Sequence, residues 1–462
     1  MAAVLEVRSP YDGAVVASLP LDGPEAVQRK IAAASAAFGR WRDVPLEDRC
    51  RLVAKGLEWF RRDGERIARE ISSQMGKPVT QARREIETML DRARWAIGAV
   101  EDALATELVP PAGDLHRRIE HVPRGVVLDI AAWNYPLLVP VNVVVPALLA
   151  GNTVVLKHSE RTPLTGEVFA RAFGTLDVPD VLVHVVVSRA GASRLIDDPR
   201  IAHVSFTGSV ATGRAVYRRA AERMVPCGLE LGGKDAAYVA ADADLAFAVE
   251  NVVDGACYNA GQSCCAVERV YVHRSVYDEF VDRALEALGG YRMGDPLEES
   301  TTLGPLAIRD AIGPLEARIE EAKRRGASVL FGGGRAPVVG GGFFAPTLVV
   351  DVPNDSSLMQ EESFAPIVPV RMVEDDEQAL GLMRDTRFGL TASVWTRDEE
   401  RAERMARDLE VGTVFQNRCD YVDPALPWSG ARESGLGATL SRHGFLHLTR
   451  PRALHFRGGP VR

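Results

Sequence analysis

Two adjacent thiols in Asn259-Ala-Gly-Gln-Ser-Cys264-Cys265-Ala266 follow a Gly-Gln step. Glycine just before a thiol permits close backbone approach, which suits an attacking sulfur. Free cysteines are more often small core residues, so this stretch alone leaves both roles open. Leu229-Glu230-Leu231-Gly232-Gly233-Lys234 sets a carboxylate between leucines at a strand end. Partial desolvation there would raise its pKa and suit it to general-base work; a salt-bridged structural Glu is the alternative. Trp133-Asn134-Tyr135-Pro136 offers an amide able to donate to a developing oxyanion, or simply an Asx turn leading into Pro136. Phe206-Thr-Gly208-Ser209 with Gly213 reads as a strand-to-helix turn where phosphate could meet backbone amides, although its spacing is not Gly-x-Gly-x-x-Gly. Lys157 and Glu160, after a short apolar strand, could hold ribose hydroxyls or form an exposed ion pair.

Other chemistries find less support. The six cysteines show no Cys-x-x-Cys pairing, and the nine histidines no ligand-like spacing, so no metal site is expected. Free thiols without a signal-peptide pattern, since Glu6, Arg8 and Asp12 interrupt any apolar run, point to the cytosol. Fifty-five Lys and Arg against 63 Asp and Glu leave a net charge of −8, the wrong sign for a nucleic-acid binder. The uncharged apolar segment, essentially 130–156, is long enough to suggest a membrane span. Pro136, Pro140, Pro146, Gly151 and several Asn break it, and a buried turn-helix-turn-strand is expected instead.

The elements that must position these residues follow from periodicity. The first hundred residues read as helical, with Ile86, Met89, Leu90, Ala93, Ile97, Val100 and Leu104 on one face of a long helix that ends at Pro110-Pro111. A charged strand, 116–122, follows. From Gly125 the rhythm is βαβα: strands at 126–130, 153–156, 181–187 and 203–206, and helices at 136–150, 163–173 and 190–197. That alternation implies a parallel sheet with ligands beyond its carboxyl ends. After Gly233 a second α/β unit has strands at 267–273, 327–331, 367–372, 391–395 and 413–416, with helices at 276–288, 315–325, 376–384 and 399–409. The tail, 452–457, is strand-like.

Taken in order, these motifs resemble the NAD(P)-dependent aldehyde dehydrogenase superfamily over essentially the whole chain, from Ser9-Pro-Tyr-Asp-Gly13 to Pro427-Trp428-Ser-Gly-Ala-Arg-Glu-Ser-Gly-Leu-Gly437. The resemblance implies an α/β fold: a Rossmann-like parallel-sheet cofactor domain (1–107 and 125–231), an α/β catalytic domain (232–430), and small β bridging elements for oligomerisation (108–124 with 445–462). It makes Cys264 the nucleophile, Glu230 the general base and Asn134 the oxyanion donor. Lys157 and Glu160 match the adenosine-ribose contacts, Ser209 the pyrophosphate contact, and Glu362 and Phe364 the nicotinamide-ribose grip. Trp133, Gly208, Gly213 and Leu231 complete the implied cofactor site. Ala365 replaces the usual Gly after Phe364, and His158 a common Pro after Lys157. The glycines of 332–342 fall in a surface loop.

The activity so implied is oxidation of a small aldehyde to its acid with NAD, NADP being possible, in a homodimer or homotetramer with no nucleic-acid or membrane partner. A CoA-acylating dehydrogenase has little use for Glu230, and a catalytically idle binding relative should have lost Cys264 or Glu230. Family position puts Tyr135, Leu138, Val139, Tyr258, Ser263, Cys265, Val422 and Trp428 around the substrate. These walls, with no Arg in the helix after Asn134, predict an uncharged, mostly apolar or aromatic aldehyde. Arg418 is the candidate that would favour an acidic one, and Asp420 could neutralise it or attract an amine.

Overall fold

The computed structural model describes residues 3–457 apart from 175 and 339. One six-stranded sheet runs in the order Gly435–Leu436, Cys227–Glu230, Ile201–Thr207, Val126–Ile130, Thr153–Lys157, Leu182–His184. All its pairings are parallel except that of the short Gly435–Leu436 strand. The chain builds outward from Val126–Ile130 in one direction, then returns to lay Ile201–Thr207 on its other side. Connections on opposite sides of neighbouring strands open a crevice at their carboxyl ends, the place where such sheets bind ligands. Trp133-Asn134 and Gly208-Ser209 follow those two strands directly.

Val126–Ile130 and Thr153–Lys157 are buried along their whole length, as expected of a sheet covered on both faces. The apolar segment that could have suggested a span resolves into the end of one strand, the wholly buried helix Leu138–Leu149 and the next strand. No helix among the described residues is long and apolar enough to cross a membrane.

The second sheet has seven strands: Ser328–Phe331, Thr347–Val350, Ile367–Val373, Val267–His273, Asp235–Val239, Thr391–Trp395 and Thr413–Gln416. Only the first pairs antiparallel. A third, antiparallel sheet joins Thr449–Arg457, Leu115–Pro123 and Glu107–Ala112. The last five residues of the expected 445–462 element lie outside the described residues. Helix Ser441–His447 returns to the first lobe, where Phe445 and Leu448 pack into the same core as Met89 and Leu148.

Three expectations need correction. The first hundred residues are not all helical: Val4–Arg8 and Val15–Pro20 form an antiparallel hairpin. Gly13 (φ +79°) and the Ser9 N–H donating to Ala14 O shape its turn. The 181–187 strand shrinks to Leu182–His184. The second sheet also contains Asp235–Val239 and Thr347–Val350, and helix Leu245–Cys257 precedes the thiols; none of these stood out in the pattern. Asp-Ala-Ala-Tyr-Val is a poor strand sequence by propensity. Burial between Val267–His273 and Thr391–Trp395 makes it the strand it is.

Candidate active site

Cys264 sits on the turn between helix Leu245–Cys257 and strand Val267–His273. Three consecutive residues before it are left-handed: Asn259 (φ 53°), Ala260 (φ 56°) and Gly261 (φ 69°). Each non-glycine residue there costs about 1–2 kcal/mol, so the turn must be held by its surroundings. The Asn259 side-chain amide donates to Asn134 O at 2.9 Å and Gln262 O at 3.1 Å, and its backbone N–H donates to Gln81 Oε1 at 3.1 Å. Gln262 donates to Asn259 O at 3.0 Å and accepts from Ala307 N at 2.8 Å. A Cβ on Gly261 would meet the Ala365 backbone at 2.3 Å, so only glycine fits.

The two thiols differ. Cys264 is partly exposed and lines a cavity of about 540 Å³. Cys265 is buried, and its hydrogen bond with Cys264 together with that burial holds its pKa well above the ordinary thiol range. Asp420 Oδ1 accepts from Ser263 Oγ at 2.7 Å and from Cys265 Sγ at 3.1 Å. A thiol so held is a poor source of thiolate, and Cys264 is the more accessible of the two.

Glu230 ends strand Cys227–Glu230 and lines the same cavity. Burial raises its pKa, partly offset by Thr439 Oγ1, which donates to Oε1, and by the charge of Arg92. Asn134 is buried, and its amide donates to Gln262 O at 3.2 Å, next to the thiol turn. Cys264, Glu230 and Asn134 thus come from three separate segments and line one space.

The expected cofactor residues divide in two. Trp133, Gly208, Ser209, Leu231, Glu362 and Phe364 line this cavity; Lys157, Glu160 and Gly213 do not. Register places Lys157 beside Ile130, and Ala131 N donates to Lys157 O at 3.1 Å, at the carboxyl edge from which Trp133 follows. Burial lowers the Lys157 pKa, Glu160 opposes this, and Arg189 adds to it. Ser209 caps helix Val210–Glu222, its Oγ accepting from Thr212 N at 3.4 Å. Gly208 N donates to Glu230 O at 3.0 Å, tying this turn to the end of the Glu230 strand.

A dinucleotide fits what is present. The Gly208–Ser209 turn opens a helix N-terminus onto the cavity, as a pyrophosphate requires. Gly213 leaves room that a Cβ would take from Leu231, at 2.4 Å, and a Cβ on Gly232 would strike the Glu362 carboxylate at 2.6 Å. Trp133 and Phe364 meet edge to face at 5.6 Å beside Glu362, whose pKa burial pushes up to about 8.

All eight expected substrate residues line the cavity. Sequence reasoning missed Arg84, Thr88 and Arg92, which enter from helix Val79–Ala103. The expectation of a pocket without arginine, based on the helix after Asn134, therefore fails. Arg418 is exposed, lies 3.3 Å over the Tyr421 ring, and is not part of the cavity wall, whereas Asp420 is. An arginine at the helical spacing of Met89, Ala93 and Ala96, on the mostly apolar buried face of this otherwise charged helix, was the signal available for Arg92.

The family model of aldehyde dehydrogenases matches residues 2–454. The chain belongs to the aldehyde dehydrogenase family, a class of NAD(P)-dependent oxidoreductases. It is 35% identical to an aldehyde dehydrogenase of Paenarthrobacter nicotinovorans, over 94% of this chain and 96% of that protein. It is 33% identical to the NAD(P)+ succinate semialdehyde dehydrogenase Sad of Escherichia coli K12, over 94% of each. Among solved structures, lactaldehyde dehydrogenase from Escherichia coli superposes with a TM-score of 0.94 at 30% identity, covering 99% of this chain and 96% of that one.

Proposed function

We propose that this chain oxidises an aldehyde to a carboxylic acid through a thioester on Cys264, and that water, activated by Glu230, releases the acid. A bare aldehyde carbon has no hydroxyl and is a poor hydride donor. Attack by the Cys264 thiolate converts it to a thiohemiacetal whose oxyanion the Asn134 amide and the Cys264 N–H stabilise. When bound, NAD(P) supplies the hydride acceptor. Trp133, Ser209, Glu362 and Phe364 would hold it against the thiol turn, with Gly208 on the cavity wall, while Gly213 makes room for Leu231. Glu230 then takes a proton from water as the oxygen attacks the thioester, and the thiolate leaves.

The observation that carries this reading is the meeting of Cys264, Glu230 and Asn134 at one cavity. Hydrolysis rather than transfer to CoA follows from a base placed at that cavity with a raised pKa. NAD is the preferred cofactor, because the Glu160 carboxylate would repel a 2′-phosphate. Lys157 and Arg189 nearby supply the opposing charge. The residues 1–107 with 125–231 form the cofactor domain and 232–430 the catalytic one. The three-stranded sheet, with Leu108 and Phe456 exposed on it, joins copies into a homodimer or homotetramer in the cytosol.

The test is NAD(P)H formation from an aldehyde by wild type, Cys264→Ala and Cys265→Ala, with each cofactor. Cys264→Ala should lose activity by at least about 10³-fold while binding NAD, and Cys265→Ala should keep most of it. Equal loss in both variants would remove Cys264 from the role, and equal kcat/KM with NAD and NADP would remove the preference.

A further inference from the structure

Helix Val79–Ala103 presents Arg84, Thr88 and Arg92 to the cavity, each four residues after the last. Residues so spaced share one helix face. Arg84 is exposed, Thr88 half-buried, and Arg92 only 8% exposed, so the stripe descends into the pocket. Arg92 Nη1 donates to Asn142 Oδ1 at 3.2 Å, and Nε has no partner. No carboxylate forms an ion pair with it among the described residues.

A buried guanidinium without an anion is costly, and arginine cannot escape that cost by releasing its proton. Several other buried charged groups in and beside this pocket have close partners. Lys77 is paired with Glu85, which also accepts from Leu137 N and Leu138 N. Asp420 accepts from Ser263 and Cys265, and burial pushes its pKa up to about 7, so a bound proton can remove its charge. Glu230 lines the same cavity, and the charge of Arg92 favours its ionised form without an ion pair between the two. Glu230 and Glu85 act on the charge of Arg92 without an ion-pair contact, so its guanidinium lines the cavity with no carboxylate bonded to it among the described residues.

We propose that Arg92 receives a carboxylate at the far end of the substrate, making the preferred substrates ω-carboxy aldehydes, the semialdehydes of short dicarboxylic acids. This rests on the Cys264 reading above and adds the recognition at the other end of the molecule. Asn142, which holds Arg92, lies a turn into helix Leu138–Leu149, and both Asn142 and Asn134 line the cavity. A short dicarboxylate semialdehyde can reach from the oxyanion amide to such a receptor. The planar guanidinium would take the carboxylate through paired N–H donors, while Asn142 fixes its orientation.

Three aldehydes of equal length separate the possibilities: glutaric semialdehyde, pentanal and 5-aminopentanal, with kcat/KM measured for wild type, Arg92→Met and Arg92→Lys. Wild type should prefer the carboxylate compound over pentanal. Arg92→Met should lower that preference by about 100-fold, chiefly through KM, and Arg92→Lys should restore part of it. Preference for pentanal, preference for the amine (which would assign recognition to Asp420), or an unchanged ratio in Arg92→Met would each overturn the proposal. Oxidation of pentanal without preference would leave the catalytic reading standing. If no aldehyde is oxidised, that reading fails on its own account, and calorimetry with glutarate still decides the role of Arg92. Heat of binding in wild type that disappears in Arg92→Met supports it, and binding that is absent or unchanged defeats it. Circular dichroism and NAD binding verify that each variant is folded.

Discussion

In its proposed role as a base, Glu230 works only when ionised, and burial works against ionisation. Burial raises its pKa, while Thr439, Arg92 and Thr207 pull it partway back. Thioester hydrolysis should therefore fall as pH drops through a value above the ordinary carboxylate range, where Glu230 gains its proton. Glu230→Gln should still give a single rapid burst of NADH, because acylation needs the thiolate, and then turn over about 10²–10⁴-fold more slowly. Stopped-flow traces across pH check both points: the wild-type steady-state rate should climb with pH where that of the variant stays flat. Full turnover in Glu230→Gln would contradict the role. Glu230 was visible in the sequence as a carboxylate between leucines, with a desolvated or a salt-bridged role both open, and the family resemblance chose between them. Thr439, which holds it, lies in a segment 209 residues away and carried no such mark.

At the scale of elements, the site depends on how helix Leu245–Cys257 hands the chain to strand Val267–His273. The left-handed run Asn259-Ala260-Gly261 turns it so that Ser263 packs inward and Cys264 faces the cavity. Gly261→Ala would place a methyl against the Ala365 backbone in a conformation that disfavours any side chain. Either the thiol turn or the segment holding Glu362 and Phe364 must then move. A displacement near 1 Å costs on the order of 10²-fold in rate. Gly261→Ala should show that loss in kcat with helix content unchanged by circular dichroism, and wild-type kcat would refute it. The glycine was visible in the sequence as a permissive neighbour of the thiol. Its obligatory character was not, since the obstacle comes from a loop about a hundred positions later.

Across the molecule, among the described residues, the six-stranded sheet carries one buried acid without a hydrogen-bond partner. Asp129 lies in Val126–Ile130, in register between Leu156 and Ser205, and neither carboxylate oxygen has a hydrogen bond. Burial, reinforced by Glu230, raises its pKa well above the usual value, so the folded chain keeps a proton that the unfolded chain releases. Folded-state proton uptake makes this contribution to stability fall as pH rises above the unfolded pKa of about 3.9. Asp129→Leu, close in shape, should raise the melting temperature by a few degrees at pH 8 and by less at pH 5. Thermal unfolding at both pH values tests this, and an equal or greater gain at pH 5 would count against it.

Local pattern alone determined the alternation of strands and helices, the motifs around Asn134, Glu230 and Cys264, and the turn at Ser209, because each depends on residues close together in the chain. Helix 163–173 and strands 267–273, 391–395 and 413–416 carry their periodicity and end signals within themselves, and they fold with the bounds their pattern predicts. Only the tertiary structure decided that Asp235–Val239 is a central strand, since its alanines favour none and burial by two neighbours does. It also decided the charge of the substrate pocket. The helix after Asn134 holds no arginine, yet Arg92 reaches the same space from a helix more than forty residues earlier. A pocket's walls come from distant segments, and no local pattern records which of them will meet.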